Sequence, residues 1–234
     1  MRQIHSILLL ILLCVPIKAN LTEVGVSVNL HDSQIRGKFD NENELFIFRG
    51  IPYAQPPIGE LRWQSPAPLS SSPKVINAES FKPACMQDEY STVWYKDVAE
   101  LFGNPRSVFD HVEAVSEDCL YLNIWTNSLD QKSKKPVMVW VHGGADTGGW
   151  SYEPNYLGHH LAKQDVVVVS INYRLNIFGF FMHSELSDQT GNFGLEDEMM
   201  ALQWVKDHIS FSVSYTHLRA HETDSYRVCR LLLE

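Results

Sequence analysis

Apolar residues along this chain fall mostly into short alternating runs, and twice they fuse into continuous stretches. The first stretch is Val137-Met138-Val139-Trp140-Val141, bounded by Pro136 and by glycines, and the second covers residues 166–171. Continuous, β-branched runs of this length predict strands covered on both faces. Earlier, residues 23–29 and 34–48 form short β-type runs. They are separated by His31-Asp32-Ser33 and Asp40-Asn41-Glu42-Asn43, which mark turns. This predicts an antiparallel meander at a sheet edge. In residues 116–125, Leu120, Leu122 and Ile124 alternate with Tyr121, Asn123 and Trp125, which predicts another strand. Residues 156–163 read as a short helix, and residues 172–181 as the loop leaving the second continuous strand.

A longer helix starts at Gly191-Asn192-Phe193-Gly194. Leu195, Met199, Leu202, Val205 and Ile209 recur at three- and four-residue steps, the spacing of a core-facing stripe. Glu196, Asp197 and Glu198 fall in its first turn, with Lys206 and His208 in its last, and both placements suit the helix dipole. Strands and helices in this order imply an α/β sandwich. Residues 55–63 are rich in Pro and Gly, yet their Ile, Leu and Trp need a docking surface, so they read as a tethered loop. Residues 85–115 carry Tyr90, Trp94, Tyr95, Phe102 and Phe109 without a clean period. They read as an Ω-like excursion of the kind that often overhangs an active site.

The N-terminus places the chain in a compartment. Arg2 precedes an apolar run at residues 7–15, and Pro16-Ile17-Lys18-Ala19 offers a cleavage site. That run is far shorter than the roughly 20 residues that span a bilayer. Residues 1–19 therefore read as a signal peptide, with no second candidate span after it, and the mature product as secreted or lumenal. The formal net charge is −9, and the signal segment holds two of the cations, Arg2 and Lys18. That balance argues against nucleic acid as a partner. Of the cysteines, Cys14 leaves with the signal and Cys229 lies in an anomalous tail. Cys85 and Cys119 remain, either as separate thiols or as a bridge, and an oxidising compartment favours the bridge. No CxxC or His/Cys metal spacing appears, so neither a metal nor another cofactor is expected. Asn20-Leu21-Thr22 is a glycosylation sequon.

The candidate chemistry sits where the first continuous strand ends. His142-Gly143-Gly144-Ala145 follows it, and glycines there permit positive φ and leave backbone N–H groups uncovered. Bare amide donors at a strand end suit the oxyanion of an acyl-transfer intermediate.

Five stretches, in order, carry a family resemblance: F-R-G-I-P-Y-A-Q-P-P at 48–57, S-E-D-C-L-Y-L-N-I-W at 116–125, V-H-G-G-A at 141–145, N-Y-R-L at 172–175 and G-N-F-G-L-E-D at 191–197. Together they resemble the type-B carboxylesterases, the cholinesterase-like branch of the α/β-hydrolases. The resemblance implies a serine triad that hydrolyses small-molecule carboxylic esters. It implies an oxyanion hole in which Gly144 and Ala145 donate N–H groups and Gly143 shapes the turn. A third donor follows the nucleophile. Ala145 replaces a commoner glycine, which costs little unless φ is positive there. The resemblance also implies a Cys85–Cys119 disulfide and two structural ion pairs, Arg49 with Glu117 and Arg174 with Asp197. Asn127 departs from the family signature. Phe109 stands where choline-type enzymes carry a Trp, so choline ester specificity is not implied.

The resemblance stops after Phe211 or Ser212. Residues 213–234 have no family counterpart and resemble translated cloning adapter. No G-x-S-x-G occurs in the chain. His142 reads as scaffold rather than base, and no triad residue is assigned. The sequence is thus expected to hold a signal peptide (1–19), the N-terminal part of an esterase domain (20–212), truncated before the nucleophile elbow, and an unrelated tail (213–234). The alternative is a fragment of a non-catalytic adhesion or ligand-binding relative on the same fold.

Overall fold

In the computed structural model, alternating residues and one Asx turn build the opening strands: β1 (Glu23–Leu30), β2 (Ser33–Asp40) and β3 (Leu45–Pro52). The structure describes residues 22–30, 33–70, 74–110, 114–188 and 190–209. The signal segment 1–19, the Asn20 sequon, Cys14, Cys229 and the tail 213–234 lie outside the described residues. β1 pairs antiparallel with β2 along its whole length, and the end of β2 pairs with the start of β3. Asp40 makes the turn between them. Its carboxylate accepts from the Glu42 and Asn43 N–H groups and from the Asn43 side chain. This is the meander that the alternating runs predict.

β4 (Val75–Asn77) joins β2 in parallel. β5 (Ala84–Cys85) and β6 (Val115–Ser116) pair across the neck of the long excursion, and the Cys85–Cys119 disulfide closes it across 34 residues. The excursion is not aperiodic loop, as the sequence suggests, but carries a helix, α1 (Tyr90–Leu101). The Asp88 carboxylate accepts from the Tyr90 N–H at its start. Tyr90, Trp94 and Phe102 face solvent, while Tyr95 and Phe109 stack inward. The outward aromatics mask the helical period.

β7 (Tyr121–Thr126), β8 (Val137–Val141) and β9 (Val167–Ile171) complete the main sheet, in the order β1-β2-β3-β7-β9-β8. β8 and β9 are parallel; β7 is antiparallel to both of its neighbours. Between β8 and β9 the predicted helix at 156–163 is a 3-10 turn (Pro154–Tyr156) followed by one turn of helix, α2 (His159–Ala162). After β9 the exit loop contains α3 (Asn176–Gly179), and α4 (Phe193–His208) follows.

α4 covers one face of the sheet. Ala201, Trp204, Val205 and Ile209 pack with Phe48, Leu122, Ile124, Val169 and Ile171. α2 covers the other face, where Trp125, Leu45, Ile47 and Val168 meet Ala162. β7 and β9 therefore lie buried on both sides. β8 does not: Met138, Trp140 and Val141 are only half-buried, because no described strand lies beyond it. The α4 stripe also differs from the sequence reading. Met199 is exposed and Leu195 and Leu202 are half-buried, whereas Asp197 faces inward and is fully buried. A buried carboxylate displaces the stripe by part of a turn.

Candidate functional site

The loop after β8 is held from below by His142. Its ring is buried and stacks on Tyr173 with centroids 4.5 Å apart. Nδ1 lies 2.9 Å from the Gly143 carbonyl, and the Tyr173 hydroxyl donates to the His142 carbonyl at 3.0 Å. Burial pushes the His142 imidazole down to about 4. The ring is therefore neutral at neutral pH, and Nδ1 donates to Gly143. A group so weakly basic suits scaffolding better than proton abstraction.

Gly143, Gly144 and Ala145 are all exposed, and among the described residues none of their N–H groups has an acceptor. The Gly144 carbonyl is instead well used. It accepts from the Thr147 N–H at 3.0 Å, the Gly148 N–H at 3.2 Å and the Thr147 hydroxyl at 2.9 Å. The turn thus consumes its carbonyl inside the loop and leaves a row of amide donors outside. Gly144 has φ 120°, and a Cβ there would collide with the Gly148 carbonyl, so only glycine fits. Ala145 has φ 54° and Asp146 φ 61°, both left-handed. The condition under which the Ala145 methyl matters is therefore met.

Flanking elements fix this loop. The Asn176 N–H donates to the Asp146 carbonyl at 2.8 Å, and its side chain donates to the Thr147 carbonyl at 2.8 Å. Gln87 pairs with the Gly149 peptide. Glu153 is buried, and its carboxylate accepts from the Trp150 N–H at 3.3 Å. Burial pushes its carboxyl up to about 7. Sequence reading misses Gln87 and Asn176, because their partners here are mostly backbone atoms remote in the chain, and it misses Glu153, which is buried beside the turn it caps.

The ion pairs divide. Arg174 and Asp197 meet in a buried fork, with Nε and Nη2 each 2.8 Å from a carboxylate oxygen. Arg49 and Glu117 do not meet, which corrects that pairing. The Arg49 guanidinium reaches back to Glu23 at 2.9 Å and lies over the Phe81 ring. Glu117 receives two hydrogen bonds from Arg62 instead. The reason is position. Arg49 sits within the meander, whereas Glu117 sits by the disulfide, where the Pro-rich loop brings Arg62 beside it.

Two serines near the site are structural. Asn123 donates to Ser151 at 3.0 Å and to Ser170 at 3.1 Å, deep in the sheet. Among the described residues, no group of His, Cys, Asp or Glu has the makings of a metal site, and no helix is long and apolar enough to cross a membrane.

A profile described as "Carboxylesterase family" matches residues 25–211. The chain is 36% identical over 211 residues to a cholinesterase of Mus musculus, covering 89% of this chain and 34% of that protein. It is 42% identical over 167 residues to liver carboxylesterase 1 of Mus musculus, covering 70% and 28%. The crystal structure of a Geobacillus stearothermophilus carboxylesterase superposes with TM-score 0.67 at 37% identity, covering 83% of this chain and 37% of that one. The chain thus spans about a third of the length of these relatives. With an α/β-hydrolase sheet, a bridged cysteine pair and matched sequence over most of its length, this chain belongs to the carboxylesterase family.

Proposed function

We propose that this chain is the N-terminal part of a secreted serine esterase acting on small-molecule carboxylic esters, and that Gly144 and Ala145 supply two donors of its oxyanion hole, with Gly143 shaping the turn. One observation carries this reading: the amides at 143–145 are exposed and unused while the neighbouring carbonyl is saturated. The esterase names of the relatives support it. When a serine attacks the ester carbonyl, the oxygen gains negative charge. Fixed amides meet that charge without reorganising, and removal of one such donor costs on the order of 10²–10³ in kcat. His142, neutral and buried, holds the turn. The Arg174–Asp197 fork ties the β9 exit to α4, and Arg62–Glu117 ties the Pro-rich loop to the bridged cysteines.

In this reading residues 1–19 are a signal peptide, Asn20 is a glycosylation candidate, and 20–212 belong to the esterase domain. Residues 213–234 are foreign to it. The nucleophile, acid and base lie on sequence that follows Ser212 in the parent protein. An oxyanion hole without its nucleophile forms no acyl-enzyme. The 234-residue polypeptide is then inactive, and the edge of β8, beside which no described strand lies, makes it prone to association.

The test is to read the transcript past the codon for Ser212 and assay the full-length protein on p-nitrophenyl esters of graded acyl length. A serine at the elbow with turnover abolished by Ser→Ala is the expected result. Another residue there, with no turnover, makes the parent a non-catalytic binding protein. Serine-dependent turnover by the 234-residue chain alone overturns the fragment reading.

A further inference from the structure

We propose that Gln87 is a positioning residue for ester hydrolysis, holding the oxyanion loop through the Gly149 peptide; the inference rests on the esterase reading above. The Gln87 carboxamide pairs with that peptide as a neighbouring strand would. The Gly149 N–H donates to Oε1 at 2.9 Å, and Nε2 donates to the Gly149 carbonyl at 2.8 Å. Gly149 is buried, and its two polar groups would otherwise face protein without a partner. Nε2 also lies 3.2 Å from the Cys85 carbonyl, so the clamp is anchored beside the disulfide.

Gly149 sits directly against the donor turn. It has φ 109°, and the site of a Cβ there lies 2.5 Å from both the Gly143 carbonyl and His142 Nδ1. One residue earlier, the Gly148 N–H donates to the Gly144 carbonyl, and the Gly148 carbonyl fills the space of a Gly144 side chain. On its outer side Gly148 is met by the Ser91 hydroxyl of α1 so closely that no side chain fits. Packing this tight transmits displacement rather than absorbing it. A shift of Gly149 therefore moves the Gly143 and Gly144 carbonyls, and with them the peptide planes that carry the Gly144 and Ala145 N–H donors. Gln87 touches no substrate and acts only through this contact.

The experiment compares Gln87→Leu and Gln87→Glu with wild type in the full-length enzyme, with active sites titrated by a phosphonate. Leu removes both hydrogen bonds at similar size. Glu keeps the acceptor but sets a carboxylate oxygen against the Gly149 carbonyl. Misplaced donors lower kcat per titrated site by about 10- to 100-fold, because they act in the transition state. KM stays near its wild-type value. Affinity for a trifluoromethyl ketone, which forms a tetrahedral adduct, falls by the same factor as kcat/KM. A kcat per titrated site equal to wild type, with only a lower Tm, overturns the inference and leaves the esterase reading intact. A wild-type protein with no titratable serine overturns both. If the Leu variant does not accumulate, Gln87→Glu carries the comparison alone.

Discussion

The Arg174 guanidinium and the Asp197 carboxylate lie in a buried fork that joins the exit of β9 to the first turns of α4, Nε to Oδ2 and Nη2 to Oδ1 at 2.8 Å each. The Arg174 N–H donates to the same carboxylate at 3.0 Å. Burial raises the Asp197 carboxyl, against the pull of the hydrogen bonds from Arg174. Asp197→Asn leaves a guanidinium that is 3% exposed without its counter-charge. The expected cost is about 3–5 kcal/mol. The double replacement Arg174→Met with Asp197→Leu costs less than Asp197→Asn alone, since no buried charge remains. Thermal unfolding of the full-length protein checks both.

That fork also marks where a one-dimensional reading works and where it slips. The two partners are paired by the family resemblance alone, whereas the meander and the continuous strands are legible directly, because burial leaves its own periodicity in the sequence. Asp197 nevertheless occupies a core-facing position on α4, so a stripe counted from apolar residues alone falls on Met199, which is 52% exposed. α1 is missed for the converse reason: Tyr90, Trp94 and Phe102 are apolar and point outward. At the site, the glycines announce the donor turn. The groups that hold it, Gln87 and Asn176, bond to backbone atoms remote in the chain and leave no pattern.

His142 and Glu153 give opposite pH dependences that overlap. The folded His142 is held down to about 4 from 6.5, so its stability contribution is present above pH 6.5 and is lost as pH falls through about 4. The folded Glu153 is pushed up to about 7 from 4.5, so its contribution is present below pH 4.5 and is lost as pH rises through about 7. Each slope is about 1.4 kcal/mol per pH unit. Between pH 4.5 and 6.5 the two oppose each other. His142→Asn should expose a stability that falls as pH rises, and Glu153→Gln one that falls as pH drops. Urea midpoints measured across this range check it. Parallel profiles in wild type and both variants would sink the assignment.

Arg49 and Glu117 are expected to be energetically independent, since Arg49 binds Glu23 and Glu117 binds Arg62. Double-mutant cycles separate the two arrangements. Alanine replacements at Arg62 and Glu117 couple, with the coupling reduced by salt because Arg62 is partly exposed. The same cycle at Arg49 and Glu117 gives no coupling beyond error. Coupling in the second cycle but not the first would restore the pairing implied by the family resemblance.

Gly144 and Ala145 are adjacent, both have positive φ, and they respond oppositely to the exchange of a methyl group. At Gly144 the new Cβ meets the Gly148 carbonyl, a backbone atom that cannot rotate aside. Gly144→Ala therefore forces the turn open, and with it the carbonyl that accepts from Thr147 and Gly148. Esterase activity of the full-length enzyme is expected to fall by at least the ~10²-fold associated with one lost oxyanion donor. Ala145 already carries its methyl at φ 54°, where a left-handed L-residue costs roughly 1–2 kcal/mol. Ala145→Gly removes that strain but adds backbone freedom to the unfolded chain worth about 0.5–1 kcal/mol. The balance is a gain of about 0.5–1 kcal/mol in stability, with the N–H donor retained. A Tm lowered by Ala145→Gly, or full activity in Gly144→Ala, contradicts the left-handed donor turn on which the site depends.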